Sequence, residues 1–576
     1  MLDQSFQLYA ERPAFEIKEA DKLRNITYAE YEVQLNGLVT AILDAGLGGE
    51  KIAICADNCF EYAMSYMAII LAGGVTVPVD KELHQNDIFS ILEVSETKAL
   101  ICDKMFLNHC DSSALNGIRL ICINKPESGY ENLENFSDFL SNGIEMNKSG
   151  RKLYLDVIQD PEKLCTLIFT SGTTGVSKGV MLCQRNFCFE IKAAMKVLKI
   201  YPEDCGISLL PFHHTFESSI IIFFAPYCGA KVTFCEGFKY VLRNMKEFNP
   251  SVFVAVPLVL ETVHKKILKK IREKKNGEFK FKVGKTLCKS ASKLHIDLKK
   301  VIFKEIQDTF GGNMRLIICG GAPIDPQIIS DFDAFGIQVL YGYGLTECAP
   351  LAIINNDRCR TTDSIGEPLP GAEAKIIDAD ENGIGELCVK GGMVMLGYYK
   401  NPEATAEVID SDGFFHTGDL AYVDKKGHYH ITGRCKNVIV TSNGKNIYPE
   451  ELEYHLSQSD FVSSCMVEGI DDDHGDLIVS AQIYPDKAEI KEYLDKEPTS
   501  EEIKAIIKKV VDGVNDAVPG FKRIRKFIVR ETDFVMTTKK TIKRNENTLN
   551  GEKKNKKKSK DRSEKEKDRS SRNLLI

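Results

Sequence analysis

The sequence predicts an α/β fold in which mostly parallel sheets are covered by helices. In the first half of the 576-residue chain, short apolar strands alternate with helical patterns, as in Lys51–Cys55, Glu61–Leu71 and Val75–Val79. Such alternation is typical of parallel sheets with helices on their faces. The length exceeds what one small core can organise, so we expect roughly two to four domains. The order of strand, helix and strand returns at Arg315–Cys319, Pro326–Phe335 and Ile337–Tyr341.

The character of the chain changes after about residue 365. Short strands at Glu373–Asp378, Gly385–Lys390 and His428–Thr432 are separated by Asp/Gly turns. This pattern predicts a small β-rich subdomain at about 365–433, because turn residues recur at short intervals. We expect this subdomain to complete a large N-terminal domain at 1–433.

The remaining residues predict a small domain and a tail. Between 434 and 548 short strands mix with two helices, Pro449–Leu456 and Ser500–Ala517, which favours an α+β domain. Residues 549–576 carry almost no apolar side chain before the last three positions, so they predict a disordered, charged tail. From Gly551 on, the tail holds eleven basic and five acidic residues. A solvated tail and an electrostatic attachment to an anionic membrane or partner both remain open.

Composition excludes several classes of protein. The apolar fraction is 43% and the charged fraction 27%, as in ordinary globular proteins, and the net charge of −7 gives no indication of nucleic-acid binding. The eighteen cysteines are scattered without a C-x-x-C pair, so neither a zinc site nor a reactive dithiol is expected. No secretory signal pattern is visible, and the most apolar stretch, Ser219–Pro226, is far shorter than the ~20 residues of a membrane span. These features predict a cytoplasmic protein, with peripheral contact to a membrane as the alternative.

One internal segment is strongly basic. Residues 265–300 include the run K-K-I-L-K-K-I-R-E-K-K, and their apolar side chains recur at helical spacing. A solvated helix face explains the pattern. A helix that lies on a membrane surface explains it as well, and would suit an enzyme that handles lipids.

The loop at 170–179 predicts a triphosphate site. It follows the predicted strand Leu164–Phe169 and reads T-S-G-T-T-G-V-S-K-G. Glycines let backbone amides approach an anion closely, hydroxyl groups add donors, and a lysine adds positive charge. The order of residues is not that of a Walker A motif. The predicted phosphate-binding residues are Thr170, Ser171, Gly172, Thr173, Thr174, Gly175 and Lys178.

This loop resembles the phosphate loop of the adenylate-forming superfamily, which includes acyl-CoA synthetases, luciferases and the adenylation domains of peptide synthetases. The resemblance covers the chain from about Arg12 to Arg544, and within the superfamily it is nearest to long-chain fatty acyl-CoA synthetases. It implies a large N-terminal domain of two mostly parallel sheets with a β-rich subdomain. It also implies a small mobile C-terminal domain that rotates between two half-reactions.

Further motifs occur in the order that the family has. In Pro211–Glu217, which reads P-F-H-H-T-F-E, the resemblance places His214 beside the substrate carboxylate as an orienting residue. In Tyr341–Glu347, which reads Y-G-Y-G-L-T-E, Tyr343 offers an aromatic face to the base and Thr346 a hydroxyl to the α-phosphate. Glu347 offers a carboxylate oxygen, a suitable ligand for Mg²⁺. The resemblance further assigns nucleotide binding to Gly320, Gly321, Ala322, Pro323 and Gly344.

The second half of the nucleotide site is predicted near the domain junction. The resemblance implies that Asp419, in F-H-T-G-D, and Arg434, in G-R-C-K-N, bind the ribose hydroxyls. Lys436 falls at the hinge, where backbone torsions change during rotation. Ser442–Glu451 resembles the segment that lines the thiol tunnel in acyl-CoA synthetases, with Gly444 as the close-approach glycine.

The last motif departs from the family pattern P-x-T-x-x-G-K-[IV]-x-R. Its lysine should bridge the carboxylate and the α-phosphate. With the register fixed by Thr537, Ile542 and Arg544, the lysine position holds Thr541, and Lys540 comes one residue early. A local shift that lets Lys540 act is our first expectation, because threonine cannot supply the positive charge. Use of Lys539 or Lys543, or slow adenylation, is the alternative.

The sequence thus predicts an ATP- and Mg²⁺-dependent acid–thiol ligase. The catalytic residues are predicted to be Lys540, Glu347, His214 and Lys178. A medium- or long-chain fatty acid is the expected acid, with aryl and short-chain acids open, and coenzyme A is the expected thiol. Ile220, Phe223 and Phe224 suit an aliphatic tunnel or plain core packing. Two other functions remain: an acyl-AMP ligase that loads a separate acyl carrier protein, and a non-catalytic member that binds nucleotide or lipid.

Overall fold

The chain forms two compact units in a computed structural model. The residues that it describes are 1–19, 22–110, 115, 117–124, 133–170, 178–292, 298–356, 361–440, 445–472, 477–536 and 542–549. The first unit comprises Met1–Lys375, Cys388–Thr417 and Val423–His430, and the second comprises Ile376–Leu387, Gly418–Tyr422 and Ile431–Ile576. The predicted tail after Leu549 lies outside the described residues.

The first unit contains a nine-stranded sheet. In spatial order its strands are Glu367–Pro368, Leu351–Ile354, Gln338–Gly344, Leu316–Cys319, Val252–Ala255, Cys205–Ser208, Lys231–Phe234, Pro13–Glu19 and Lys22–Thr27. The central pairs are parallel, and antiparallel pairs occur only toward the two edges. The helix Pro326–Ala334 links two neighbouring parallel strands, so the predicted strand–helix–strand unit is confirmed there.

A second sheet of the first unit has eight strands. In spatial order they are Gly397–Tyr398, Lys178–Cys183, Leu164–Thr170, Val75–Pro78, Lys51–Cys55, Ala99–Cys102, Arg119–Cys122 and Leu133–Asn135. All pairs from Leu164–Thr170 to the far edge are parallel. The prediction of two mostly parallel sheets is therefore confirmed.

Helices of the first unit bury apolar faces against these sheets. The long helix Tyr28–Asp44 begins with a capping box, in which Thr27 and Glu30 exchange side-chain and backbone hydrogen bonds. The other α-helices of four or more residues that the structure describes in this unit are Leu2–Tyr9, Phe60–Leu71, Gln85–Ser95, Lys104–His109, Phe136–Lys148, Gln184–Ala194, Thr215–Ser218, Val241–Phe248, Pro257–Glu273, Gly277–Ser292, Lys299–Ile302, Lys304–Thr309, Pro326–Ala334 and Pro402–Ala406. The predicted basic helical segment thus forms two successive helices, Pro257–Glu273 and Gly277–Ser292.

The segment after residue 365 forms short strands, as predicted. Four of them form a sheet of their own: Glu373–Ile377, Gly385–Lys390, Phe415–Val423 and Tyr429–Arg434. In the second unit, a three-stranded sheet consists of Val462–Asp471, Leu477–Pro485 and Lys526–Val529, and a two-stranded one of Ile439–Val440 and Asn446–Ile447. The helices of this unit are Pro449–Ser457, Lys487–Leu494, Ser500–Ala517 and Arg544–Asn547.

The described cysteines carry free thiols, and most of them are buried. This agrees with the expectation of scattered apolar cysteines. Among the described residues, no helix combines the length and the apolar character that crossing a membrane requires.

Candidate active site

The phosphate loop connects two strands of a hairpin. Strand Leu164–Thr170 pairs antiparallel with Lys178–Cys183, and Thr170 lies opposite Lys178 in the ladder. The Thr170 hydroxyl donates to the Lys178 carbonyl at 3.4 Å. Both ends of the loop are therefore fixed by the sheet. The predicted residues Ser171, Gly172, Thr173, Thr174 and Gly175 lie outside the described residues.

Lys178 and Glu347, two predicted catalytic residues, meet through one tyrosine. The Tyr398 hydroxyl donates to Glu347 Oε1 at 2.9 Å, and Lys178 Nζ lies 4.6 Å from the centroid of the Tyr398 ring. Strand Gly397–Tyr398 adds to the edge of the phosphate-loop hairpin, with Tyr398 opposite Val180. Burial raises the pKa of Tyr398, and the nearby Glu347 carboxylate raises it further, so the phenol stays a proton donor.

A backbone hydrogen bond also attaches Glu347 to the segment that leads into the edge strand Gly397–Tyr398. The Met395 amide donates to the Glu347 carbonyl at 2.9 Å. Among the described residues no hydrogen bond reaches Glu347 Oε2, whereas Oε1 is held by Tyr398. A carboxylate with one oxygen fixed and the other accessible suits a hard cation, because Mg²⁺ takes oxygen ligands and retains several waters.

The two predicted glycine-containing segments lie beside each other. Strands Leu316–Cys319 and Gln338–Gly344 are parallel neighbours, with Cys319 opposite Tyr341, so the segments that follow them meet at the same sheet edge. The Tyr341 hydroxyl donates to the Ala322 carbonyl at 3.1 Å. Such a carboxyl edge is where α/β sheets bind ligands. This brings Gly320, Gly321, Ala322 and Pro323 together with Tyr343, Gly344 and Thr346.

Two of these glycines are favoured by the backbone, one by a close contact and the other by its conformation. A Cβ on Gly344 would lie 1.7 Å from the Pro350 carbonyl oxygen, so no other residue fits this turn. Gly321 has φ +88°, a conformation that favours glycine. Thr346, at the start of the next turn, is buried. The tight turn after Tyr343 thus sets the positions of Thr346 and Glu347.

The histidine segment is anchored by buried polar groups. The His213 and His214 rings lie 4.2 Å apart, and His213 Nε2 lies 3.5 Å from Asp80 Oδ2. Asn58 holds the preceding turn: its Oδ1 accepts from the Phe212 amide at 3.0 Å, and its amide donates to the Leu210 carbonyl at 2.6 Å. His214, the predicted orienting residue, directly precedes the helical turn Thr215–Ser218.

Glu217, at the end of the same motif, is fully buried. Its Oε1 accepts from the Ser208 hydroxyl at 2.7 Å and from the Leu209 amide at 2.9 Å. Burial raises the pKa of Glu217 to about 8, so the carboxyl group is largely neutral at pH 7. Its contacts connect the histidine segment to the strand Cys205–Ser208.

The apolar residues that were predicted for an aliphatic tunnel or for core packing lie in two different places. Ile220 and Phe224 line a cavity of about 20 Å³, together with Phe216, Leu351 and Glu190. Phe223 faces the core instead. Its ring stacks on Phe187 at 4.5 Å and meets Tyr66 edge-on at 5.6 Å. The segment Ser219–Phe224 is a π-helix, a feature often found at functional sites.

The ribose-binding residues predicted near the junction belong to the second unit. Arg434 Nε lies 2.9 Å from Asp419 Oδ1, and Asp419 is buried while Arg434 is exposed. The two residues that were predicted to bind one ribose are therefore in direct contact. Lys436, the predicted hinge, is exposed within the short turn Cys435–Asn437. Gly444, predicted for the thiol tunnel, lies outside the described residues.

Lys540 also lies outside the described residues, but both ends of its loop are described. Met536 and Ile542 form an antiparallel bridge, and the Lys543 amide donates to the Val535 carbonyl at 2.9 Å. Arg544, which follows, forms an ion pair with the partly buried Glu453. The predicted catalytic lysine therefore falls among residues 537–541, which are outside the described residues and have an anchored residue on either side.

Sequence reasoning missed Tyr398 and Glu190. No motif singles out Tyr398, because its relation to Lys178 and Glu347 depends on an edge strand that joins from elsewhere in the chain. Glu190 is one of three charged residues of the helix Gln184–Ala194, and no motif distinguishes it from the other two.

Comparisons with known proteins identify the family of the chain. Residues 2–399 match the family described as "AMP-binding enzyme", and residues 436–550 match "AMP-binding enzyme C-terminal domain". The chain is 31% identical over 485 residues to long-chain-fatty-acid–CoA ligase 5 of Rattus norvegicus, covering 77% of this chain and 69% of the relative. It is 27% identical over 575 residues to the chloroplastic long-chain-fatty-acid–[acyl-carrier-protein] ligase AEE15 of Arabidopsis thaliana, covering 87% and 78%.

Two solved structures show the same fold at low sequence identity. The anthranilate CoA ligase AuaEII in complex with anthranoyl-AMP superposes with a TM-score of 0.73 at 20% identity, over 94% of this chain and 95% of that one. The o-succinylbenzoate coenzyme A synthetase of Bacillus subtilis, in complex with ATP and magnesium ion, superposes with a TM-score of 0.71 at 21% identity, over 94% and 98%.

Proposed function

Since the chain belongs to the AMP-binding enzyme family, we propose that it activates a medium- or long-chain fatty acid as an acyl-adenylate and transfers the acyl group to coenzyme A. The products are acyl-CoA, AMP and pyrophosphate. The observation that carries the proposal is the connection of Lys178 and Glu347 through Tyr398, beside the phosphate-loop hairpin. This arrangement suits the binding of a triphosphate together with a hard cation.

In the first step the acid carboxylate attacks the α-phosphorus of ATP, and the bond to pyrophosphate breaks. Glu347 Oε2 is the proposed ligand for Mg²⁺, which would supply positive charge to the phosphates, and the hydrogen bond from Tyr398 fixes the other carboxylate oxygen, Oε1. Lys178 adds positive charge at the loop, and Lys540 is proposed to supply it at the α-phosphate. The protein thus contributes mostly positioning and electrostatics.

In the second step a thiol attacks the acyl-adenylate carbonyl, and AMP leaves. Coenzyme A is the proposed thiol, supported by the fatty acyl-CoA synthetase A of Dictyostelium discoideum, which is 30% identical over 466 residues and covers 77% of this chain and 70% of the relative. The Arabidopsis relative is named for transfer to acyl carrier protein instead, so a carrier-loading ligase is the second candidate. Lys436 remains the proposed hinge and Gly444 the proposed tunnel glycine.

One assay separates these candidates. Purified protein is incubated with Mg-ATP and palmitate, with coenzyme A or acyl carrier protein as acceptor, and pyrophosphate and acyl-thioester are measured. We expect pyrophosphate to be released only when palmitate is present, and we expect acyl-CoA to be the product. Acyl transfer to carrier protein without formation of acyl-CoA would replace the proposed acceptor. The assay is repeated with a panel of short-chain, long-chain and aryl acids. If none of them leads to pyrophosphate release, the non-catalytic alternative is favoured.

Two variants test the site itself. Glu347→Gln keeps the size of the side chain but removes its charge, and we expect at least tenfold slower pyrophosphate release at limiting Mg²⁺. Glu373→Gln, an exposed glutamate of the same unit, is the matched control. Equal Mg²⁺ dependence of the two variants would remove Glu347 from the proposed metal site.

We propose a cytoplasmic protein that contacts membranes peripherally. Helix Gly277–Ser292 exposes Phe279, Val283 and Leu287 at intervals of four residues, with exposed fractions of 70%, 39% and 52%. The segment 265–300 has fourteen basic and three acidic residues. An apolar stripe flanked by lysines suits the surface of an anionic bilayer.

The membrane contact is tested by co-sedimentation with vesicles of phosphatidylglycerol and phosphatidylcholine. We expect the wild type to bind at low salt and Phe279→Ser with Leu287→Ser to bind at least fivefold more weakly. Ile158→Ser, which removes an apolar side chain that is 93% exposed elsewhere, is the control. Equal binding of all three proteins would contradict the proposed surface.

A further inference from the structure

The cavity beside the histidine segment contains a buried carboxyl group. Glu190 lies on helix Gln184–Ala194, and 6% of its surface is exposed. Its Oε2 atom is buried and has no hydrogen-bond partner among the described residues. Glu190 also lines the cavity of about 20 Å³. An unpaired polar atom at such a place is unusual, because buried polar groups are normally hydrogen-bonded.

Burial determines which form this side chain takes. The pKa of Glu190 lies well above its ordinary value, and loss of solvent is the cause. Loss of solvent favours the protonated form, a carboxylic acid with one O–H donor and one carbonyl acceptor.

Most of the wall around this carboxyl group is apolar. Phe216, Ile220, Phe224 and Leu351 contribute aromatic and aliphatic surface. The other hydroxyl on the wall belongs to Ser219, which donates to the Ala349 carbonyl at 2.9 Å. A space of about 20 Å³ holds one water-sized group, but a water needs two to four polar partners, and this wall offers few. An oxygen atom carried by a ligand fits better, because it needs only the Glu190 carboxyl group as its polar partner.

The cavity adjoins the segments that are proposed to bind the carboxylate and the nucleotide. Its residues Phe216–Phe224 follow His214 directly in the chain. The Phe216 ring also approaches the position that a Cβ on Gly320 would take, at 3.6 Å. The cavity therefore adjoins the segment where the substrate carboxylate is proposed to bind, and it has room for one oxygen atom of an acyl chain.

We propose that Glu190 determines substrate specificity, by selecting carboxylic acids that carry a hydroxyl or carbonyl oxygen on the acyl chain over the unsubstituted acids of the same length. This inference rests on the proposed function and defines its substrate class more narrowly. A polar oxygen pairs with the Glu190 carboxyl group, whereas a methylene group leaves that carboxyl group buried and unpaired. Sites that hydrogen-bond a substrate group reject analogues that lack it.

The test compares decanoic acid with the hydroxydecanoic acids that carry the hydroxyl group at successive carbons. Pyrophosphate release gives kcat/KM for each acid with wild type, Glu190→Gln, Glu190→Met and Lys192→Met. Glutamine keeps a neutral hydrogen-bonding group of the same shape, and methionine replaces it by an apolar chain of similar volume. Lys192→Met changes an exposed residue of the same helix and is the control.

We expect the wild type to prefer at least one hydroxy acid over decanoic acid by about tenfold or more in kcat/KM. Glu190→Gln and Lys192→Met should retain most of this preference. Glu190→Met should lose it and should use decanoic acid as well as, or better than, the wild type does. A wild type that prefers decanoic acid to every hydroxy acid, or a Glu190→Met variant with the wild-type preference, would overturn the inference.

A binding measurement separates this inference from the proposed function. The thermal unfolding midpoint of each protein is recorded with each acid in the absence of ATP. If hydroxy acids raise the midpoint of the wild type more than that of Glu190→Met although no acid yields pyrophosphate, the selectivity stands and the adenylation proposal fails. If pyrophosphate is released but neither readout distinguishes the acids, the selectivity fails and the adenylation proposal stands.

Discussion

Replacing Glu217 by glutamine should change how the stability of the protein depends on pH. Glu217 is fully buried, accepts hydrogen bonds from the Ser208 hydroxyl and the Leu209 amide, and has its pKa raised to about 8 by burial. In the unfolded chain the same carboxyl group titrates near 4.5. Glutamine preserves the shape and the accepting oxygen but cannot ionise.

The sign of the effect follows from proton binding. Between pH 4.5 and about 8 the folded protein retains a proton that the unfolded chain releases, so the free energy of unfolding falls as pH rises. One group contributes about 1.4 kcal/mol per pH unit in this window. Between pH 5 and 7 the wild type should therefore lose about 3 kcal/mol that Glu217→Gln retains.

The measurement is urea unfolding at pH 5, 6 and 7, followed by far-ultraviolet circular dichroism because the chain contains no tryptophan. The quantity that matters is the difference in unfolding free energy between Glu217→Gln and wild type, since the titration of all other groups cancels. Glu93→Gln, an exposed glutamate of the same unit, is the control and should show no trend. A difference for Glu217→Gln that stays constant within about 1 kcal/mol from pH 5 to 7 would refute the reasoning.

Three further predictions concern other contacts. Tyr398→Phe removes the donor to Glu347 Oε1, and we expect the Mg²⁺ concentration for half-maximal pyrophosphate release to rise severalfold; an unchanged Mg²⁺ titration would exclude this positioning role. Asp331→Ala removes the buried carboxylate that lies 2.9 Å from His264 Nε2, and should lower the free energy of unfolding by about 3 kcal/mol or more in urea; a loss below about 1 kcal/mol would contradict a paired buried carboxylate. Lys540→Ala should lower carboxylate-dependent ATP–pyrophosphate exchange at least tenfold, and unchanged exchange would remove Lys540 from the reaction.

Local sequence patterns predicted the helices and strands well, because the formation of these elements depends on neighbouring residues. The strand at Lys51–Cys55 and the helix at Ser500–Ala517 have the predicted bounds. The helix at Phe60–Leu71 begins one residue before the predicted start. Hydrophobic period and turn residues determine such elements within a short window of sequence.

Long-range relations could not be predicted in the same way. The edge strand that carries Tyr398 joins the hairpin of Lys178 from far along the chain, and no local pattern records this pairing. The apolar run at Ser219–Phe224 did not reveal that Phe223 faces the core while Ile220 and Phe224 face the cavity. A π-helix explains this failure, because it departs from the 3.6-residue period on which such assignments depend.

The displaced lysine of the last motif is constrained by its two anchored ends. A slip of the strand by one residue would bring Lys540 into the family register, but it would turn Ile542 to the other face of its bridge with Met536. It would also separate Arg544 from Glu453, whose burial raises its pKa to about 7 and makes an unpaired charge costly.

We therefore expect the positive charge that the family lysine supplies to come from a lysine among residues 537–541. Lys543 is a weaker candidate, since its backbone amide donates to the Val535 carbonyl and its Nζ lies 3.2 Å from Glu546 Oε1. Lys539 and Lys540 remain, and Lys540 needs the smaller shift. A variant that exchanges Lys540 and Thr541 restores the family order without changing composition, so it should match or exceed the wild type in ATP–pyrophosphate exchange. If the swapped variant catalyses ATP–pyrophosphate exchange at least tenfold more slowly than the wild type, activity requires the native order of Lys540 and Thr541.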